Sequence, residues 1–152
     1  MNKLPIKQAL YTQCGDFVNE RMSHIKQTLA NIRESLANET KSSAGNKHET
    51  GRAMIQLERE KAGSQLMEIQ KLQQALSKIN INSTSRTVRS GSLVCTSGAN
   101  YFIAISAGQL KVNNQLFFAI APNSPIGQLL LGKQQGDTVV FNGKQITVKD
   151  VA

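Results

Sequence analysis

With 152 residues, 39% of them hydrophobic, the chain has material for one ordinary domain or two small ones around a modest core. A formal charge of +8 suits an anionic partner such as nucleic acid, anionic lipid or an acidic protein surface. Lys and Arg outnumber Asp and Glu by 12 to 8 over residues 1–79 and by 6 to 2 over 80–152, so no basic tail exists. Aromatics at 5% leave few platforms for stacking bases, which weighs against single-strand nucleic-acid binding.

The first ten residues contain Lys3, Pro5 and Lys7 and lack the apolar run of a signal peptide. No later segment approaches the roughly 18 apolar residues of a membrane helix, so the expected location is the cytoplasm, with no membrane partner. Cys14 and Cys95 fall at apolar positions of periodic segments and read as buried free thiols rather than a bridge.

From about Ile6 to Asn38 the apolar residues keep helical spacing. Val18, Met22, Ile25, Leu29, Ile32 and Leu36 alternate steps of four and three, which is a coiled-coil seam, and Leu10 and Cys14 extend it. A second helix is predicted from about Glu49 to Ile79. There Ile55, Ala62, Ile69 and Leu76 are seven apart, Leu66 fills the seam, and Met54, Leu57, Leu72 and Ile79 widen the stripe. Arg59, Gln73 and Gly63 weaken this second seam, the glycine by about 1 kcal/mol relative to alanine. The polar run Glu39 to Glu49 stops one helix and turns the chain, so the two seams pack antiparallel.

The segment Asn80-Ile-Asn-Ser-Thr-Ser85 ends the helical pattern and marks a boundary. Beyond it Leu93–Thr96, Tyr101–Ser106, Leu116–Ala121, Thr138–Phe141 and Gln145–Val151 read as short strands, with Asn142-Gly143 as a two-residue hairpin turn. Ser124, Pro125 and Gly132 have the chemistry to cap, start and end a short helix through Leu129, Leu130 and Leu131. The expected fold is therefore α+β. A long antiparallel coiled-coil hairpin over residues 1–79, with its tip near 39–50, and a linker at 80–85 precede a small, mainly antiparallel β domain over 86–152.

The string Ser124-Pro125-Ile126-Gly127, the leucine turn, Gly132-Lys133 and then Gly136-Asp137 resembles the C-terminal signature of the Gre transcript-cleavage factors of bacterial RNA polymerase. The order of parts is also similar, and the resemblance covers nearly the whole chain. It implies an FKBP-like β domain, RNA polymerase as partner, and a coiled coil that enters the polymerase secondary channel to modulate elongation or backtracking. The expected factor is not itself an enzyme, at most a stimulator of the polymerase's own transcript cleavage; any contact with nascent RNA is expected to be indirect, and the expected state is a monomer. Acidic residues at the family's tip help hold a magnesium ion shared with the polymerase. Here the matching run is Gly45-Asn46-Lys47-His48-Glu49-Thr50-Gly51-Arg52-Ala53. Glu49 keeps the place of one tip acid, while Asn46 stands where the family has aspartate.

Magnesium favours anionic oxygen, so Asn46 removes one charge from the site, and Glu39 is the nearest further carboxylate in sequence. His48 reads either as a ligand or base or as a solvated turn residue, with Lys47 and Arg52 as a basic rim or as contacts to polymerase or RNA. Glu49 has the alternative of stabilising a helix N-terminus. For Ser124, Pro125, Ile126, Gly127, Gly132 and Gly136 fold geometry competes with polymerase contact, and Asp137 admits both. Two other functions fit the pattern: a coiled-coil adaptor of the same architecture for a different partner, and a prolyl isomerase using Tyr101, Phe102, Phe117, Phe118 and Phe141. Strand alternation argues against the isomerase by burying some of these rings. The sequence has no phosphate-binding glycine loop, no Cys/His metal spacing and no Ser/His/Asp set.

Overall fold

The computed structural model describes residues 3–41 and 46–152, and the side chains of all of these except 39–41 and 46–50. Two long helices come first, α1 (Leu4–Lys41) and α2 (Asn46–Ser77). Six strands and a short helix follow: β1 (Leu93–Thr96), β2 (Asn100–Ile103), β3 (Gly108–Val112), β4 (Gln115–Ile120), α3 (Pro125–Leu130), β5 (Thr138–Phe141) and β6 (Lys144–Val151). The chain divides into two compact units, residues 18–73 and residues 1–17 together with 74–152. The predicted linker at 80–85 lies inside the second of these. No described helix is long and apolar enough to cross a membrane.

Within residues 18–73 the two helices pack through the heptad pattern. Val18, Ile25 and Ile32 on α1 and Ala62 and Ile69 on α2 are buried, each set seven apart. Met22, Leu29, Leu36, Ile55, Leu66 and Leu72 are half-buried. Such a pair covers one stripe per helix, so only one position per heptad is fully enclosed. Met54 and Leu57, expected to widen the stripe, are instead 61% and 66% exposed. Leu57 follows Ile55 by two residues and so points about 200° away around the helix.

In the other unit, α1 begins two residues earlier than the periodicity predicts, because Pro5 is compatible with a first helical turn. Helix α2 closes at Ser77 with bonds of the 3₁₀ type, Lys78 N to Ala75 O and Ile79 N to Leu76 O. The strands form one sheet in the order β3-β4-β2-β1-β6-β5. All neighbouring pairs are antiparallel except β2 and β4, whose parallel register sets Tyr101 beside Phe118 and Ile103 beside Ile120. Strand β3 was not expected from sequence. It pairs with β4 through the two-residue turn Asn113-Asn114, both at positive φ, as are Asn142 and Gly143 in the β5–β6 hairpin. Two consecutive positive φ values make both turns type I′, the form that matches strand twist.

One face of the sheet carries Val94, Ile103, Val139, Ile146 and Val148, which pack with Val88 and with Ile126 and Leu130 of α3. Phe102 and Phe117, on alternate positions, are also wholly buried. The first turns of α1 belong to this unit. Tyr11 donates to the Leu76 carbonyl at 2.9 Å, Gln13 to the Lys111 carbonyl at 3.0 Å, and Lys3 pairs with Asp150 at 2.7 Å.

Candidate functional site

The segment from Ser124 to Asp137 is built almost entirely from backbone requirements. Ser124 caps α3: its Oγ accepts from the Gly127 amide at 3.1 Å and donates to the Ala121 carbonyl at 2.6 Å. Pro125 occupies the first helical turn, where a missing amide costs nothing. Ile126 and Leu130 enter the core. A Cβ on Gly127 would stand 2.3 Å from the Ala121 oxygen and 2.9 Å from that of Pro122, so only glycine fits.

After α3 the chain turns through Gly132 at φ 82° and Gly136 at φ 95°. The Gly132 amide donates to Val88 O at 2.9 Å, and the Gly136 amide to Val148 O at 2.8 Å. Asp137 closes the turn between them, its carboxylate accepting from the Gln134 amide at 2.8 Å while its carbonyl receives Val148 N at 2.8 Å. Fold geometry thus accounts for Ser124, Pro125, Ile126, Gly127, Gly132, Gly136 and Asp137. The segment leaves exposed Pro125, Gln128, the edges of Leu129 and Leu131, and the turn from Gln134 to Asp137 together with Gly132. Those groups are available to a partner.

Asn46, Lys47, His48 and Glu49 form the first turn of α2, and their side chains lie outside the described residues. Arg52 is exposed on the next turn. Among the described residues no three metal-ligating groups come together. By donor chemistry the run 45–53 offers one carboxylate, Glu49, beside the neutral Asn46 and the basic Lys47, His48 and Arg52. That set is a poor match to magnesium, which prefers several anionic oxygens, so no metal-dependent step is assigned to it.

Between α1 and α2, within residues 18–73, lies an open groove of about 730 Å³ with Ile25 and Ile69 as its apolar lining and Glu20, His24, Lys61 and Glu68 around them. A second pocket of about 310 Å³, bordered by Lys3, Lys7, Asn82, Thr84 and Asp150, brings together residues from the two ends of the chain and the segment after α2, which no sequence spacing connects. Lys3 donates both to Asp150 and to Cys95 Sγ, the latter at 3.2 Å. Burial works against its charge, but these partners outweigh it and hold the Lys3 pKa above the ordinary value. Lys7 shifts the other way, lowered by burial and then by Arg89.

Both cysteines are free, as expected. Cys14 is fully buried, and burial pushes its thiol up to about 11, which removes it from thiolate chemistry near neutrality. Cys95 is half-buried rather than buried, and its Sγ accepts from the Lys3 ammonium. The aromatic residues do not form a common pocket wall: Phe102 and Phe117 are core, while the Tyr101 and Phe118 rings lie 6.2 Å apart on the opposite strand positions. Comparison with protein-family models and with curated proteins gives no match to this chain.

Proposed function

We propose that the chain is a Gre-like factor that binds bacterial RNA polymerase through an FKBP-like domain and inserts its helical hairpin into the secondary channel to modulate elongation or backtracking. The observation that carries this reading is the string from Ser124 to Asp137, which resembles the family signature in composition, order and spacing. A pair of long helices preceding a six-stranded sheet agrees with the same architecture. The altered tip bears on mechanism. With Asn46 in place of an aspartate and three basic residues nearby, the hairpin suits occupancy of a channel better than activation of water. The factor then acts by binding and by competing with an active cleavage factor, not by chemistry of its own.

The test is cleavage of backtracked RNA by purified polymerase with magnesium, with and without the protein, beside a direct polymerase-binding measurement. Binding without acceleration is expected for the natural chain, and Asn46→Asp should raise the cleavage rate. Absence of binding would remove the proposal. The tip substitution also favours a second reading, an adaptor of the same architecture whose hairpin recognises a different partner. Affinity purification that recovers polymerase subunits argues against it, and recovery of other proteins without them argues for it.

A further inference from the structure

The division of the chain into two units also divides its charge. Residues 18–73 carry nine Lys and Arg against seven Asp and Glu, while residues 1–17 with 74–152 carry nine against three, so most of the net charge belongs to the unit that contains the sheet. Between Glu68 and Asp137 the sequence holds no acidic residue at all. Basic side chains of that stretch therefore have no carboxylate close to them along the chain.

The fold gathers four of these cations. Backbone bonds from Val88 N to Lys133 O and from Gly132 N to Val88 O, each 2.9 Å, lay the segment after α2 along the turn after α3, which puts Lys133 beside the stretch that holds Arg86 and Arg89. Gln134 Nε2 donates to Thr87 Oγ1 at 3.4 Å across the same seam. At the far end of the segment Gly91 abuts Ile79, a Cβ there standing 3.0 Å from Ile79 Cγ2, which brings Lys78 to the same region. Lys78, Arg86 and Arg89 are exposed and Lys133 is half-buried. None of the four has an ion-pair partner among the described residues. Of the unit's carboxylates, Asp150 is held by Lys3 at 2.7 Å, Asp137 accepts from the Gln134 amide at 2.8 Å, and Asp16 lies on α1.

The hydroxyls of Ser83, Ser85, Thr87 and Ser90 lie on the same segment, and the Arg89 guanidinium is hydrogen-bonded to that of Ser83. Arginine, lysine and hydroxyl side chains are the usual donors to backbone phosphates. A duplex presents a negative charge about every 1.7 Å along its axis, so one helix can engage several cations at once. No aromatic residue occurs from Asn80 to Asn100, which leaves no ring for unpaired bases to stack on and none to enter a lipid interface.

We infer that the surface formed by Lys78, Arg86, Arg89 and Lys133 binds the phosphate backbone of double-stranded DNA without reading its sequence. The binding is driven by release of counterions from the duplex and needs no polymerase.

Fluorescence anisotropy of a short labelled duplex, titrated with the full chain at a series of salt concentrations, tests this. Saturable binding is expected at low salt, with a log–log salt slope of about −3 to −4 for four phosphate contacts. Arg86→Gln with Arg89→Gln should bring the slope to about −2 and weaken low-salt binding about tenfold or more. Lys111→Gln with Lys144→Gln removes the same charge from β3 and the β5–β6 hairpin and should leave the slope in place. Equal losses from the two pairs overturn the assignment, since net charge alone would then explain the binding. Absence of saturable binding at low salt also overturns it, as does tighter binding of the unlabelled competitors polyglutamate, phosphatidylserine vesicles or single-stranded DNA.

Discussion

Replacing Gly127 with alanine tests whether the Ser124–Asp137 signature is there for packing or for a partner. The added methyl would sit 2.3 Å from the Ala121 oxygen, 2.8 Å from Ser124 Oγ and 2.9 Å from the Pro122 oxygen. Carbon and oxygen ordinarily approach no closer than about 3.3 Å, so the first overlap is roughly 1 Å. The Ala121 oxygen cannot simply withdraw, because it accepts from both the amide and the hydroxyl of Ser124. Relief requires α3 to shift, which loosens Ile126 and Leu130 in the core. The expected loss is about 3 kcal/mol, at the upper end of overpacking costs. The same substitution at Gly63, a helical position with nothing within 4 Å of its Cβ, should stabilise by about 0.5–1 kcal/mol. Urea unfolding followed by circular dichroism reads both changes. A Gly127→Ala variant as stable as the natural chain refutes the steric argument, and lost polymerase binding in that stable variant would show the glycine to be a contact.

Three further outcomes follow from the same structure. Because the folded state retains the Cys14 proton to about 11 against an ordinary 9.0, its contribution is intact below 9.0 and is lost as pH rises between these values. The loss amounts to about 2–3 kcal/mol. Alkaline unfolding should show that step and Cys14→Ala should lack it, while a thiol reagent should modify Cys95 before unfolding and Cys14 only after. Lys7→Met should raise stability at neutral pH by about 1 kcal/mol or more by removing a buried charge that has no ion-pair partner among the described residues. The Lys7 pKa is depressed in the folded state, so the natural chain recovers stability as pH rises from that lowered value toward 10.5, and the gap between the two proteins should narrow in urea titrations over that range. At Asn114, φ 64°, glycine should stabilise the β3–β4 turn by about 0.5–1 kcal/mol and valine should weaken it, as thermal melting would register.

The sequence by itself determined the features that rest on local spacing. Apolar residues seven apart specified the helix pair, because a helix turns a fixed angle per residue. Ser124-Pro125 specified the start of α3, and Asn142-Gly143 the last hairpin, because cap and turn chemistry is decided within a few residues. Strand β3 escaped this reading: Leu110 and Val112 make a short alternation, and Asn113-Asn114 is a weaker turn signal than Asn-Gly. The outward direction of Met54 and Leu57 was also hidden, since apolar character does not say which side of a helix finds a partner.

Only the tertiary structure decided what depends on residues distant in the chain. The parallel pairing of β2 with β4 joins strands separated by a third. The need for glycine at 127 arises from carbonyls of a turn that must fold back over α3, which a motif records but does not explain. The pocket around Lys7 draws on positions 3, 7, 82, 84 and 150, and nothing in their spacing connects them. A lysine's cost or use depends on whether the fold brings a counter-charge within reach. In the described structure Asp150 is held by Lys3, and Lys7 is left buried without one.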